Sequence, residues 1–169
     1  MAQNVMGNSQ LLLLGLSLLV LLVYSQTRPG WERFQRFKNQ HVRYPKHLAS
    51  NNDQYCMMEM KWVNDYNNAC KGFNSFLHNQ TQNIINVCFH PNIFCRNNET
   101  NCHRSIFRNS ITECRSAGGQ YPDCYYNGTA VRKYFVVACI PISPSGRLLP
   151  VHLDSTFWNP GQVFLLPPP

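Results

Sequence analysis

The sequence holds no pair of cysteines at C-x-x-C spacing, although it contains eight cysteines. That absence argues against a zinc site, whose thiolate ligands usually come in closely spaced pairs. No long apolar run is present either. The leucine-rich stretch at residues 11–23 falls short of the roughly 20 residues that a comfortable membrane span needs. Acidic side chains are scarce: 8 Asp and Glu stand against 15 Lys and Arg, for a net charge of +7. An excess of this sign points to an anionic partner, whether nucleic acid, a glycosaminoglycan or a bacterial membrane. No internal repeat is visible, and 169 residues make one ordinary domain.

What is present begins with the apolar run. It lies near the N-terminus, and Val23-Tyr24-Ser25 supplies the small residues a signal peptidase needs. Residues 1–25 therefore read as a secretory signal peptide. No Lys or Arg precedes Arg28, so the usual positive n-region is reduced to the α-amino group, and a signal anchor is the alternative. All eight cysteines lie beyond the expected cut, at 56, 70, 88, 95, 102, 114, 124 and 139. An even count in an exported domain reads as four disulfides, although eight cysteines allow 105 pairings and spacing alone does not choose among them. Three N-x-[ST] sites, at Asn79, Asn98 and Asn127, are glycosylation candidates in an extracellular protein. The expected localisation is secreted.

Taken in order, residues 26–30 read as a flexible leader, because Pro29-Gly30 discourages regular structure. Trp31, Phe34, Phe37 and His41 then recur at helical spacing, which puts His41 on or beside the buried face of a short helix. Residues 43–52 read as a loop. Ser50-Asn51-Asn52-Asp53 has capping-box form and predicts a second helix from about Asp53 to Trp62. Met57, Met58, Met60 and Trp62 are its expected core bulk. Asn79 or Thr81 can cap a third helix, with Ile84, Val87 and Cys88 on its apolar face. Residues 134–140 and 148–154 are strand-like, and 124–133 is a further strand with Asn127-Gly128 as a turn signal. Helices first and strands later predict an α+β fold with an antiparallel sheet. Residues 158–169 end in three prolines and read as an irregular C-terminal extension.

One stretch organises the chemistry. Cys70-Lys71-Gly72-Phe73-Asn74-Ser75-Phe76 sets a lysine directly after a half-cystine, followed by an amide, a hydroxyl and an aromatic ring. A disulfide there would hold a cation where negative charge develops during a reaction. A lysine beside a cysteine is most often a solvated surface residue, and a histidine on a helical stripe most often a core histidine. Both gain weight only through partners elsewhere in the chain.

Those partners are present. Gln40-His41, Cys70-Lys71-x-x-Asn74-Ser75-Phe76 and Pro150-Val151-His152-Leu153-Asp154 resemble the three active-site motifs of the pancreatic ribonuclease (ribonuclease A) family. The likeness covers roughly residues 31–157, and the order and spacing of the eight cysteines fit it. Ser75 stands where the family usually has threonine. The resemblance implies three short helices packed on a curved antiparallel sheet, in a domain of residues 26–157. It also implies the disulfides Cys56–Cys114, Cys70–Cys124, Cys88–Cys139 and Cys95–Cys102. The last closes a small loop that angiogenins lack. The branch stays open, since Tyr55-Cys56-Met57-Met58 leans to the pancreatic type and Asn101-Cys102-His103-Arg104 is similar to the eosinophil type as well.

The same resemblance implies a metal-free endoribonuclease, without cofactor, acting on single-stranded RNA 3′ of pyrimidines. His41 would be the base and His152 the acid, with Lys71 stabilising the transition state. Gln40 and a backbone N–H near Leu153 would assist, and Asp154 would accept a hydrogen bond from His152. Ser75 would read the base, supported by Glu113, with Asn74 beside it. Asn101, with Glu99, would contact the following base, and Arg36 and Arg96 the flanking phosphates. Asn39 and Ile140 stand where the family has a further cation and an acidic residue, the loop from Cys139 to His152 is long, and the tail passes the usual end. A cytosolic ribonuclease inhibitor is an implied partner, and the chain is expected to be monomeric. The competing function is a cationic host-defence protein acting on bacterial membranes without catalysis. Charge favours it, but a pure membrane binder does not need the histidine–lysine–histidine set.

Overall fold

A computed structural model describes residues 3–142 and 145–159, and for helical segments 3–8 and 21–29 the backbone alone. The elements run α1 (Gln3–His41), α2 (Asn52–Asn67), β1 (Phe73–Leu77), α3 (Thr81–Asn86), a 3-10 turn (Val87–Phe89), β2 (Asn92–Ile93), β3 (Cys102–Arg104), β4 (Asn109–Gln120), β5 (Asp123–Ile142) and β6 (Arg147–Phe157). The fold is α+β, with six antiparallel strands in the order β1-β4-β5-β3-β2 and β6 also on β5. Beside the three α-helices expected there is the 3-10 turn, and α1 is 39 residues long rather than short.

The break expected at Pro29-Gly30 does not occur, and the backbone stays helical through it. A proline costs a helix one hydrogen bond without forbidding it. Gly30 also closes on β5: a Cβ there would sit 2.6 Å from Ile142 Cδ1. Farther back, the side chains from Leu11 to Val20 are exposed and add nothing to the core. Among the described residues, no helix is long and apolar enough to cross a membrane. Residues 160–169 of the expected extension lie outside the described ones.

The start of α2 is set by Asn51, whose side-chain oxygen accepts from the Gln54 N–H at 2.8 Å. Gln54 Oε1 in turn accepts from the Ser50 N–H at 3.1 Å. The pair is like a capping box but sits one residue later than the Ser50-to-Asp53 pattern suggests, and its return bond goes to the residue before the cap. Met60 is fully buried, but Met57, Met58 and Trp62 are exposed, so core filling holds for Met60 alone. Gln80 occupies the cap position of α3 with no side-chain bond, while Asn79 Oδ1 accepts from the Gln80 N–H and from Asn83 Nδ2.

The 124–133 and 134–140 strands prove to be one, because β5 runs unbroken for 20 residues. Its first half pairs with β4, and its second half with β6 and β3. Asn127-Gly128 is not a turn; the two residues pair with Arg115 and Cys114 inside the ladder. Glycine is needed there for close approach rather than for reversal. A Cβ at Gly128 would lie 2.1 Å from the Asn52 carbonyl oxygen, and the Gly128 N–H donates to Asp53 Oδ1 at 2.7 Å.

The core falls into three clusters, each containing disulfide sulfur. Phe34, Phe37, Leu77, Ile84, Ile111, Phe135 and Val137 surround Cys88–Cys139. Tyr55, Met60, Val63, Phe76 and Tyr126 surround Cys56–Cys114 and Cys70–Cys124. Val136 and Ala138 pack on Cys95–Cys102. Gly128→Ala should destabilise the fold by roughly 1–3 kcal/mol, the usual cost of overpacking. Urea denaturation checks this, and a midpoint equal to wild type would show that α2 and β5 are free to separate.

Candidate active site

His41 is the last residue of α1, so the helix end decides where its ring lies. The next residue, Val42, bridges to Leu77 of β1, and the Arg43 N–H donates to the Leu77 carbonyl at 3.0 Å. The Arg43 guanidinium donates to the carbonyls of Asn39 and Val42 at 2.9 Å each and pairs with Glu59 of α2, which also meets His47. A cation on the final carbonyls of a helix complements its dipole. The end of α1 is thus held by β1 and α2 together. His41 is buried, and its Nδ1 donates to the Ser75 carbonyl at 3.0 Å. That bond leaves Nε2 as the ring's acceptor.

Burial pushes the His41 pKa down to about 3, with the Ser75 carbonyl opposing and the charges of Lys71, His152 and Arg43 adding to the fall. The ring is therefore neutral at physiological pH. Lys71 lies half-buried, with its pKa lowered by burial and by Arg36. Its Nζ donates to Asn74 Oδ1 at 3.0 Å, and the fully buried Asn74 donates through Nδ2 to the Gln40 carbonyl at 2.9 Å. One amide thus ties the lysine to the helix end that carries His41. The Lys71 backbone is held in turn: its N–H donates to Asn64 Oδ1 at 3.0 Å, and the Tyr126 hydroxyl donates to its carbonyl at 2.8 Å. Asn64 and Tyr126 escaped the sequence reading. Their only sequence signal was a polar or amphipathic residue inside an element, which does not reveal that Lys71, 7 positions from Asn64 and 55 from Tyr126, is the partner of both.

His152 comes from β6. The β5–β6 register shifts on both sides of it, between Ala138 and Cys139 and between Val136 and Val137. Two irregularities so close together re-aim the side chains between them. His152 is exposed and faces a cleft of about 450 Å³ shared with His41, Lys71, Gln40, Asn74, Ser75, Arg96, Glu113, Leu153 and Asp154. The cleft also takes in Arg115, Lys133 and Thr156, which sequence reasoning did not place in the site.

Several expected contacts differ. Asp154 is the residue left unpaired by the second register shift, and its carboxylate accepts from the Arg96 N–H and the Ser155 hydroxyl, each at 3.1 Å. It is occupied there rather than on His152. Glu113 faces Ser75 across the β1–β4 ladder, but its Oε1 accepts from Lys133 at 2.6 Å and from the Thr156 hydroxyl at 2.9 Å. A cation and a hydroxyl, both largely sheltered from water, are the stronger partners for a carboxylate. Asn101 does not reach the cleft; its amide and carbonyl both bond the Cys139 backbone. Arg36 lines a neighbouring groove instead. Among the described residues, Cys95, Cys102 and Asp154 place three donor atoms close together, but the two sulfurs are bonded to each other and offer no thiolate.

Fold and cleft define a class: a disulfide-bonded α+β protein whose basic cleft suits a bound anion flanked by two imidazoles. Comparison with known proteins narrows the class. The family pattern described as pancreatic ribonuclease matches residues 32–154. Ribonuclease K6 of Bos taurus is 38% identical over 163 residues, which cover 91% of this chain and 98% of that protein. Ribonuclease K6 of Macaca mulatta is 39% identical over 132 residues, 76% of this chain and 80% of that one. Ribonuclease K3 of Sus scrofa is 39% identical over 148 residues, covering 82% and 92%. The chain belongs to the pancreatic ribonuclease family.

A buried neutral histidine makes stability depend on pH. The unfolded chain takes up a proton on His41 near 6.5, whereas the folded chain does so only near 3. Between those values the unfolded state binds more protons, so stability is lost as pH falls through that window. His41→Gln should lower the melting temperature less between pH 7 and pH 4 than wild type does. Identical pH slopes in calorimetry would show that His41 is not held neutral.

Proposed function

We propose that the protein is a secreted endoribonuclease that cuts single-stranded RNA 3′ of pyrimidines without a metal ion. The observation that carries this reading is the linked set of His41, Ser75, Asn74, Lys71 and the Gln40 carbonyl, in a cleft that His152 also faces. RNA carries its own nucleophile. His41 Nε2 takes the proton of the 2′-hydroxyl, whose oxygen attacks phosphorus. The bond from phosphorus to the 5′-oxygen breaks, and His152 gives that oxygen a proton. The product is a 2′,3′-cyclic phosphate, which water opens as the two histidines exchange roles. Lys71 stabilises the charge that builds on the phosphoryl oxygens. The phosphodiester's negative charge also offsets the neighbouring cations that depress His41, which moves the base towards its working range. Asn74 is a positioning residue, because it acts through Lys71 and the helix end.

Base choice falls to the cleft wall around Ser75. A hydroxyl can donate or accept, so it can meet uracil or cytosine. Glu113, Lys133 and Thr156 form the adjoining wall, and Leu153 closes it. Secretion is supported by the four disulfides and by the apolar stretch at 11–20, whose side chains pack on nothing in the core. Cleavage of the leader near residue 25 would leave the domain of residues 26–157 intact.

His41→Ala or His152→Ala should lower kcat/KM on RNA by about 10²–10⁴-fold, the usual worth of a positioned acid or base, with the fold retained at pH 7. Activity should survive EDTA. Activity lost in EDTA and restored by a divalent cation would overturn the mechanism. Ser75→Gly should bring the rates on four substrates that differ only in the base 5′ to the cut closer together. A wild-type enzyme that cuts all four equally would show that Ser75 does not read the base.

A further inference from the structure

Beyond Gln40 lies a second concavity, of about 610 Å³, between α1 and α2. Gln40 lines both it and the catalytic cleft, so the two adjoin at that residue. Arg36, Asn39 and Arg43 form one wall. The other carries Trp62 and Tyr66, one helical turn apart on α2 and 72% and 61% exposed. The Arg36 guanidinium lies 4.7 Å from the centre of the Tyr66 ring. Among the described residues the groove has one carboxylate, Glu59, which is only 3% exposed and is held by Arg43 and His47, so the accessible surface is cationic and aromatic.

We propose that this groove is a nucleobase-stacking subsite, in which Trp62 and Tyr66 take a base of the RNA strand after it leaves the catalytic cleft. The proposal rests on the RNA-cleavage reading and extends it to a part of the substrate remote from the cut. Charge alone would attract phosphate at any surface arginine. A concave wall with two aromatic faces at i, i+4, beside a guanidinium and adjoining the cleft, suits a flat ring attached to a phosphate. Every base has a π-face, so stacking of this kind tolerates any sequence. It would favour long strands over short ones without changing which phosphodiester is cut. A lipid surface fits less well, because insertion needs aromatic rings on a projecting surface and these line a hollow.

The test measures kcat/KM for the oxidised protein on a dinucleotide with one cleavable bond, and on the same unit lengthened by one to four nucleotides on its 5′ or its 3′ side. Wild type should gain on lengthening in one direction, and an abasic nucleotide at the responsive position should remove the gain. Trp62→Ala should cut that gain about tenfold, with the loss confined to the longer substrates, and Trp62→Phe should restore most of it. Equal performance of Trp62→Ala, Tyr66→Ala and wild type on every length would overturn the subsite. So would an equal loss on the dinucleotide, or a loss of binding to phosphatidylserine vesicles with oligonucleotide cleavage unchanged. If wild type fails on the dinucleotide itself, the cleavage reading fails, and that result is distinct from the others.

Discussion

The site depends on one buried amide. Asn74 accepts from Lys71 Nζ and donates to the Gln40 carbonyl, so it joins β1, the lysine beside the Cys70 disulfide and the end of α1. Each bond is modest by itself. An amide sealed from water, however, is costly to leave unpaired, so the arrangement holds only when both partners are in place. Lysine is a flexible chain with a point charge, and this amide gives it a direction. The adjacent Ser75 carbonyl performs the matching task for the His41 ring. Two successive residues of one strand therefore orient two of the three groups in the proposed mechanism.

The third group arrives by a different route. β5 is long enough to serve two partners in succession, β4 along its first half and β6 along its second. It thereby brings Lys133 and the Glu113 side chain to the cleft that His152 faces. The register shifts around His152 are confined to the β5–β6 ladder, while the core clusters below are tied by disulfides. Local irregularity is tolerated where the surrounding packing over-determines the backbone. The cleft is thus built from rigid elements with a small departure from regularity at His152, the proposed acid.

Collecting cations in one place has an electrostatic cost that the fold distributes. Glu59 takes Arg43 and His47, Glu113 takes Lys133, and Asp154 takes a backbone N–H. With 8 acidic residues in the chain, three serve at or beside the cleft and groove. What is left accessible is positive, and His41 is held neutral by burial first and by its cationic neighbours second. The same burial that keeps the ring unprotonated, while lowering its basicity, makes the folded state sensitive to acid.

The sequence by itself determined the class of fold, the even count of cysteines that close as disulfides, the helical face that carries His41, and the three short motifs that mark the family. These were legible because each is local: a stripe at helical spacing, a cap, a cysteine count, a run of residues with its own chemistry. Tertiary structure decided the rest. Asn127-Gly128 reads as a turn until the Asn52 carbonyl is found against it, and the strands at 124–133 and 134–140 read as two until one ladder runs through both. The carboxylates show the limit most clearly. Which cation or N–H a carboxylate chooses depends on distances between strands that sequence spacing does not set. Asp154 therefore went to Arg96 and Ser155, Glu113 to Lys133 and Thr156, and Tyr126 came under Lys71 from a residue 55 positions away.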